Sequence, residues 1–264
     1  MQFLNMYADY GYATILSLIA LSFVAGFIDA IVGGGGIIQI PALLINLPKT
    51  PLLTLFGTNK IAALAGTSIS AYQYSKRIKY NFKLLITVSV FAALASYTGA
   101  KVVSHIHVNS LKPIILVLLI SIAIYTFIKK DLGSVQTKSL SFKKQIVFGS
   151  ILGIIVGFYD GFFGPGTGSF FVLGFVVVLG YEFVEASAYS KVINCMTNIS
   201  ALVVFIHQGN YIIEIAIIMS IFNITGSLIG SRLALRKGNN FVRSIFLVIV
   251  TLMIARYGYD VFLK

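Results

Sequence analysis

The chain has 264 residues, of which 58% are hydrophobic and only 11% are charged. A soluble domain has about 25% charged residues, so the composition excludes an ordinary soluble domain and predicts an integral membrane protein. The formal net charge is +12, but the basic residues lie in short loops between apolar runs rather than on one polar face. We therefore expect membrane lipid, and no nucleic acid, as a partner.

Helix is the expected conformation of the apolar runs, because strands in lipid would require a closed barrel. Runs of about 20 residues are long enough to cross the hydrocarbon core of a bilayer. In the first half of the chain the predicted pieces are about 14–32, 37–47, 51–75, 84–104 and 111–128. The second piece would reach only about 16 Å as a helix, so it either spans the bilayer or re-enters.

A polar stretch, Lys129–Lys144, separates these pieces from a second set. The second set is predicted at about 145–163, 168–181, 186–207, 211–231 and 241–262. The piece at 168–181 is the counterpart of the short piece above, and it too either spans or re-enters. The predicted fold is an all-α, polytopic membrane helical bundle with broken or re-entrant helices. We expect two membrane repeats, in residues 1–131 and 132–264.

The two halves repeat one motif. Residues 26–36 read Gly-Phe-Ile-Asp-Ala-Ile-Val-Gly-Gly-Gly-Gly, and residues 157–167 read Gly-Phe-Tyr-Asp-Gly-Phe-Phe-Gly-Pro-Gly-Thr. The same offset of 131 residues aligns Lys60 with Lys191 without a gap. Each copy places a carboxylate and a glycine-rich break inside an apolar run. This duplication is typical of secondary transporters, whose site lies between broken helices near the bilayer midplane.

The loop charges predict how the copies are oriented. Basic residues cluster at 76–83, 129–144 and 236–243, and the positive-inside rule places such loops in the cytoplasm. The loop after the third piece is basic in the first half and uncharged in the second, so the copies are predicted to face opposite directions. An inverted repeat requires an odd number of crossings per copy. Five crossings meet that condition, as do three if the first two pieces form a re-entrant pair.

Each glycine-rich break is predicted to interrupt a helix, because glycine costs a helix about 1 kcal/mol relative to alanine and proline removes a backbone donor. The helix that restarts after the break presents unpaired N–H groups and the positive end of its dipole, which favour an anion. A tight turn or close helix packing is the alternative. The break residues are Gly33, Gly34, Gly35, Gly36, Gly164, Pro165 and Gly166, and the predicted backbone donors are Ile37, Ile38, Thr167, Gly168 and Ser169.

Two carboxylates and two lysines lie near the breaks. Asp29 and Asp160 each lie four residues before a break, and a carboxylate inside the bilayer usually has a function or a partner. They either carry a coupling proton or are structural, capping freed backbone donors or pairing with a lysine. Lys60 and Lys191 are predicted to neutralise these carboxylates or to attract a negative substrate, with snorkelling to the interface as the alternative. The predicted polar contacts to substrate oxygens are Asn59, Ser190 and Asn194.

These motifs together resemble the TauE/SafE family of membrane permeases, the sulfite and organosulfonate exporters. The resemblance covers nearly the whole chain. It rests on residues 26–36, Pro41, residues 57–60, residues 157–169 and residues 188–191. It implies a multi-pass permease of the bacterial inner membrane that exports sulfite, sulfoacetate or a related small anion.

The leading hypothesis is a secondary transporter of a small, sulfur-containing or similar anion, coupled to an ion gradient in which the proton is the expected ion. One alternative is a transporter of a cation or neutral metabolite with Asp29 and Asp160 as ligands, and another is an anion channel. The sequence contains no ATP-binding motif, no nucleophile–His–acid grouping and no metal-ligand spacing. We therefore expect no enzymatic activity, catalytic residue, metal or cofactor, and a homo-oligomer is compatible with the chain.

Overall fold

The computed structural model describes residues 10–104 and 140–262, which are helical and contain no strand. The predicted piece 111–128, the boundary between the predicted repeats and most of the polar linker lie outside these residues. The helices are α1 Tyr12–Val32, α2 Gly35–Asn46, α3 Leu52–Ser75, α4 Phe82–Val103, α5 Phe142–Phe162, α6 Thr167–Gly174 with a following π-helical turn Phe175–Leu179, α7 Phe183–His207 and α8 Ile213–Phe262.

The prediction of an all-α membrane bundle is confirmed. Among the described residues, α1, α4, α5, α7 and the segment Ile213–Ile249 are each long and apolar enough to cross a membrane. The predicted pieces agree with the helices to within a few residues, except that the piece predicted to end at residue 231 continues to Gly238, where φ is 74°. Arginine and lysine are strong helix formers, so the charges that end the apolar run do not end the helix.

The basic loops lie on one face of the bundle. The backbone N–H of Asn81 donates to the Tyr189 hydroxyl at 2.6 Å, which joins the loop between α3 and α4 to α7. The N–H of Val184 donates to Oδ1 of Asn239 at 2.9 Å, which joins α7 to the segment after the interruption in α8. We call this side, with residues 76–83 and 236–243, the basic face.

The weakly charged loops lie at the other end. The N–H of Ile212, just before α8, donates to Oγ1 of Thr58 in α3 at 2.9 Å. The hydroxyl of Ser104, just after α4, lies 3.3 Å from Oε1 of Gln208. The loop between α7 and α8 therefore meets both the first turns of α3 and the end of α4, and we call this side the opposite face.

The first two helices form a hairpin. Gly33 ends α1 in the left-handed region, with φ 80°, and α2 then packs on α1 beside Ala25. Further along, Nδ2 of Asn46 donates to the Ser17 hydroxyl at 3.2 Å. The 12 residues of α2 span about 18 Å. This piece therefore turns back along α1 and ends on the opposite face, where α1 begins.

The second half contains the same hairpin, entered from the basic face. The rings of Tyr159 in α5 and Phe170 in α6 have centroids 5.1 Å apart. After the π-helical turn, the Tyr181 hydroxyl donates to Oε1 of Gln145, near the start of α5, at 3.4 Å. Burial raises the pKa of Tyr181 above its usual value, so its hydroxyl stays a neutral donor. Two hairpins entering from opposite faces are the arrangement that inverted copies require.

Each hairpin also packs against a long helix of the other half of the chain: α1 packs against α8, and α5 packs against α4. Glycines allow the backbones to approach closely, as small residues do between helices in lipid. A Cβ atom at Gly26 would overlap the backbone of Asn223, and one at Gly157 would overlap the backbone of Ala92. Both residues of the second contact are 131 positions from those of the first. The contacts are therefore reciprocal, as a twofold relation between the halves demands.

These faces give a topology that labelling can test. In a Cys195→Ser background, which removes the single cysteine, a membrane-impermeant thiol reagent added from outside should label cysteines at exposed positions of the opposite face and spare those of the basic face. Permeabilised cells should show labelling at both. Equal labelling of both sets in intact cells would contradict the orientation. The positions are Lys49 and Gly209 on the opposite face, and Lys76, Lys144 and Lys237 on the basic face.

Candidate functional site

The tips of the two hairpins meet inside the bundle. A Cβ atom at Gly33 would overlap the backbone of Gly168, and one at Gly168 would overlap the backbone of Gly33. The backbone N–H of Ser169 donates to the Gly33 carbonyl at 2.6 Å, and its hydroxyl donates to the Val32 carbonyl at 3.0 Å. The Ser190 hydroxyl on α7 supports the contact by donating to the Gly168 carbonyl at 2.9 Å.

Three of the five predicted backbone donors, Ile37, Thr167 and Ser169, already donate to backbone carbonyls in this conformation. The N–H of Ile37 donates to the Gly34 carbonyl at 3.1 Å, and that of Thr167 donates to the Gly164 carbonyl at 3.3 Å. Ser169 donates across the tips, as described above, and Ile38 lies in the first turn of α2. An anion could use these N–H groups only after the tips rearrange, so their role in binding stays a prediction.

The four charged residues form two ion pairs, and each pair joins the two halves of the chain. Nζ of Lys60 on α3 lies 2.8 Å from Oδ2 of Asp160 on α5. Nζ of Lys191 on α7 lies 3.3 Å from Oδ2 of Asp29 on α1 and also donates to the Asp29 backbone carbonyl. The lysines therefore do not snorkel to the interface; each lies deep in the bundle, against the hairpin of the other half.

Burial makes these pairs energetically important. The exposed fraction of the side chain is 6% for Lys60, 3% for Asp160, 0% for Lys191 and 12% for Asp29. An unpaired charge at such a depth costs several kcal/mol, whereas a well-bonded pair roughly balances its own desolvation. The four charges sum to zero, so the centre of the bundle is neutral in this conformation.

Sequence reasoning did not assign roles to two residues that bind the pairs. The Thr67 hydroxyl donates to Oδ2 of Asp29 at 3.1 Å, and Oδ1 of Asn198 accepts from Lys60 at 3.0 Å. Thr67 follows Lys60 by seven residues, and Asn198 follows Lys191 by seven. Seven residues are about two helical turns, so each polar side chain shares a face with its lysine. That spacing, repeated in both halves, was the available signal.

A small polar cavity of about 30 Å³ lies beside the Lys60–Asp160 pair. A cavity needs about 10–15 Å³ of such volume to hold one water molecule, so this one has room for about two or three water molecules and is too small for a larger solute. Oδ1 of Asn59 and Nδ2 of Asn198 are buried without a hydrogen-bond partner among the described residues. Both asparagines line the cavity, as does the predicted contact residue Asn194. Two of the residues that line the cavity thus each keep one buried amide atom without a hydrogen bond among the described residues.

Aromatic side chains separate this cavity from the opposite face. Phe56, Phe163 and Phe205 line it, and the rings of Phe56 and Phe163 pack edge to face with centroids 6.1 Å apart. Phe56 lies one turn before Lys60 on α3, which begins at the opposite face. Toward the basic face, the Tyr74 hydroxyl donates to the Ala30 carbonyl at 3.1 Å. Aromatic side chains therefore narrow the path between the cavity and the opposite face, and the Tyr74 contact lies between the cavity and the basic face.

Comparison with known proteins agrees with this architecture. A profile of the family described as sulfite exporter TauE/SafE matches residues 18–257. A probable membrane transporter protein of Sinorhizobium is 38% identical over 94% of this chain and 93% of its own length. One of Haemophilus influenzae is 32% identical over 96% and 97%, and YfcA of Escherichia coli, also named a probable membrane transporter protein, is 36% identical over 92% and 89%. No solved structure matches the chain.

Proposed function

The chain belongs to the TauE/SafE family of membrane transporters, and from that premise we propose that it moves a small, sulfur-containing or similar oxyanion across the bacterial inner membrane. The expected direction is export, and the expected energy source is an ion gradient. Lys60 and Lys191 are the proposed source of positive charge. Asn59, Ser190 and Asn194 are proposed to contact the substrate, with the backbone donors of the hairpin tips.

One observation carries this proposal: two hairpins that enter from opposite faces meet at Gly33 and Gly168, beside lysines that each pair with the other half. A ligand that replaces a carboxylate on a lysine would break a link between the halves. Binding would then be coupled to relative motion of the halves, which is the basis of alternating access in repeat-built transporters. The small cavity of about 30 Å³ corresponds to a closed step in such a cycle.

The main alternative is a cation or neutral metabolite as cargo. It is favoured by the carboxylates of Asp29 and Asp160 and the unpartnered Oδ1 of Asn59, all of which border the cavity. In that case the lysines are structural. The lysine pairing opposes it, because both carboxylates already have an ammonium partner and a cation would have to displace it.

Uptake into vesicles separates the two cargoes. Purified protein in liposomes should accumulate radiolabelled sulfite, sulfoacetate or thiosulfate when the outside is made more acidic than the inside, at rates that saturate with concentration. Potassium, ammonium and a neutral sugar should not accumulate above the level of empty liposomes. Accumulation of a cation and of none of the anions would replace the proposal with the alternative. Flux that does not saturate would indicate a channel instead.

A further inference from the structure

The two ion pairs are related by the repeat but differ in their surroundings. Building on the proposed function, we infer that Lys60 and Asp160 form the working pair, in which Asp160 takes up one proton for each monoanion that binds Lys60. Lys191 and Asp29 form a permanent brace that holds the first hairpin, so of the two lysines proposed above as the source of positive charge only Lys60 contacts the anion. The proton carrier and the anion site are thus one ion pair, opened by the substrate.

Three groups donate hydrogen bonds to the carboxylate of Asp29. Lys191 and the Thr67 hydroxyl both donate to Oδ2, and the backbone N–H of Gly35 donates to Oδ1 at 3.4 Å. Hydrogen bonds to the charged form of a carboxylate stabilise that form. These donors tie the Asp29 carboxylate to the start of α2, which is the structural role of an acid at a helix break.

The equivalent position in the second half has the reverse chemistry. Where the first half has Thr67, which donates to a carboxylate, the second half has Asn198, whose Oδ1 accepts from Lys60. An acceptor on the ammonium stabilises Lys60 as a cation and gives nothing to Asp160. When an anion takes the place of Asp160 on Lys60, the ammonium keeps its Asn198 contact, and the carboxylate loses its ammonium partner.

Access to the cavity differs in the same sense. Lys60, Asp160 and Asn198 all line the cavity, as does Asp29, whereas Lys191 does not. Lys191 has a fully buried side chain, and its Nζ is bonded to the backbone of α1 as well as to a carboxylate. An entering anion meets Lys60 without disturbing a helix backbone, whereas reaching Lys191 would require the first hairpin to come apart.

Charge balance then sets the stoichiometry. Two ammonium and two carboxylate groups give a neutral centre, so one added monoanion leaves one uncompensated negative charge in a low-dielectric interior. One proton added to the displaced carboxylate of Asp160 restores neutrality. No covalent bond to the substrate forms or breaks. Anion and proton therefore bind together and move together in an electroneutral step, so export by this step is driven by the outward gradient of the anion itself and carries one proton out with it.

The other described groups around Asp160 are not suited to take up this proton in its place. From α3 it faces Lys60, and across the cavity lies Asp29, which is already held by its own donors. The helix α4 packs its small residues Ala92, Ser96 and Ala100 against α5, and its Lys101 is exposed. From α7 and α6 the neighbouring polar side chains are the non-titrating Asn194, Asn198 and Thr167.

Infrared spectroscopy of full-length protein tests the difference between the pairs without any ligand. Lys60→Met removes the cation from Asp160, so a carbonyl stretch of a protonated carboxylic acid should be present at neutral pH. The band should vanish in Lys60→Met/Asp160→Asn. Lys191→Met is the matched control: Asp29 retains Thr67 and Gly35, and no such band should arise. A band in Lys191→Met, or none in Lys60→Met, would overturn the assignment.

Proton counting on the wild-type protein tests the stoichiometry and does not depend on any variant folding. Ethanesulfonate, a monoanion across the neutral range, is added to protein in weakly buffered detergent with a pH dye. We expect uptake of one proton per bound anion. Binding with no proton uptake would overturn the coupling. Absence of binding by ethanesulfonate and by sulfite would overturn the proposed cargo class instead, and the infrared comparison would still decide which carboxylate accepts a proton.

Discussion

Lys60→Met should abolish anion uptake and destabilise the folded protein, because it leaves the carboxylate of Asp160 buried without its partner. Removing one member of a buried ion pair typically costs about 3–5 kcal/mol, and the Lys60 and Asp160 side chains are 6% and 3% exposed. The double variant Lys60→Met/Asp160→Asn removes both charges and should recover most of that stability. It should not recover uptake, because the anion site is missing. Thermal unfolding in detergent and vesicle uptake measure the two effects.

The matched control is Lys79→Met, which removes an exposed basic charge in the loop between α3 and α4. Surface substitutions away from special features usually change stability by less than about 0.5 kcal/mol, so this variant should resemble the wild type in both measurements. If Lys60→Met takes up the anion at the wild-type rate, the role of Lys60 is only structural and the proposed function loses its basis. A double variant as unstable as the single one would show that shape rather than charge governs this position.

Helix positions were predictable from the sequence because lipid permits few backbone conformations. Every predicted piece within the described residues is a helix, and the two short pieces are the returning arms of hairpins. The end of the first part of α8 was not predictable in the same way. Arg232, Arg236 and Lys237 mark the end of the apolar run, but the helix ends only where Gly238 adopts a positive φ.

The choice of ion-pair partner was beyond the sequence. The repeat showed that Asp29 and Lys60 belong to one copy and Asp160 and Lys191 to the other, which makes pairing within a copy equally plausible. The fold pairs them across copies, because each hairpin packs into the other half through glycine contacts such as Gly26 with the backbone of Asn223. The Gly26 contact joins residues 197 positions apart and its counterpart, Gly157 with Ala92, joins residues 65 positions apart, and no periodicity in a single chain reports either contact.

The backbone donors illustrate a second limit. Glycine-rich breaks in a membrane predict freed N–H groups, and the sequence placed them at Ile37–Ile38 and at Thr167–Ser169. In the folded chain Ile37 and Thr167 donate within their own hairpins and Ser169 donates to the opposing tip, because a buried N–H group without a partner is costly. The donation from Ser169 to the Gly33 carbonyl exists only because both breaks meet. A sequence pattern locates the break, but the opposing tip decides whether its donors are free.

Contact between the tips should be essential for transport, and glycine substitutions can show it. Gly33→Ala forces a side chain into a residue with φ +80° and into the backbone of Gly168. The matched control Gly209→Ala has nearly the same conformation, φ +69°, with nothing within 4 Å of its added Cβ. Both variants bear the strain of a left-handed residue, about 1–3 kcal/mol. Only Gly33→Ala should also separate the tips and reduce vesicle uptake, by roughly tenfold or more, the equivalent of about 1.4 kcal/mol.

Gly168→Ala isolates the contact from the strain, because Gly168 is not among the glycines with positive φ and its added Cβ would still overlap the backbone of Gly33. It should therefore lose uptake as Gly33→Ala does, while Gly209→Ala retains it and shows only a lower unfolding temperature. If Gly168→Ala transports normally, the tips need not touch during the cycle, and the site must be formed by the ion pairs alone. Loss of uptake in all three variants in proportion to their stability would instead mean that unfolding, not tip separation, limits transport.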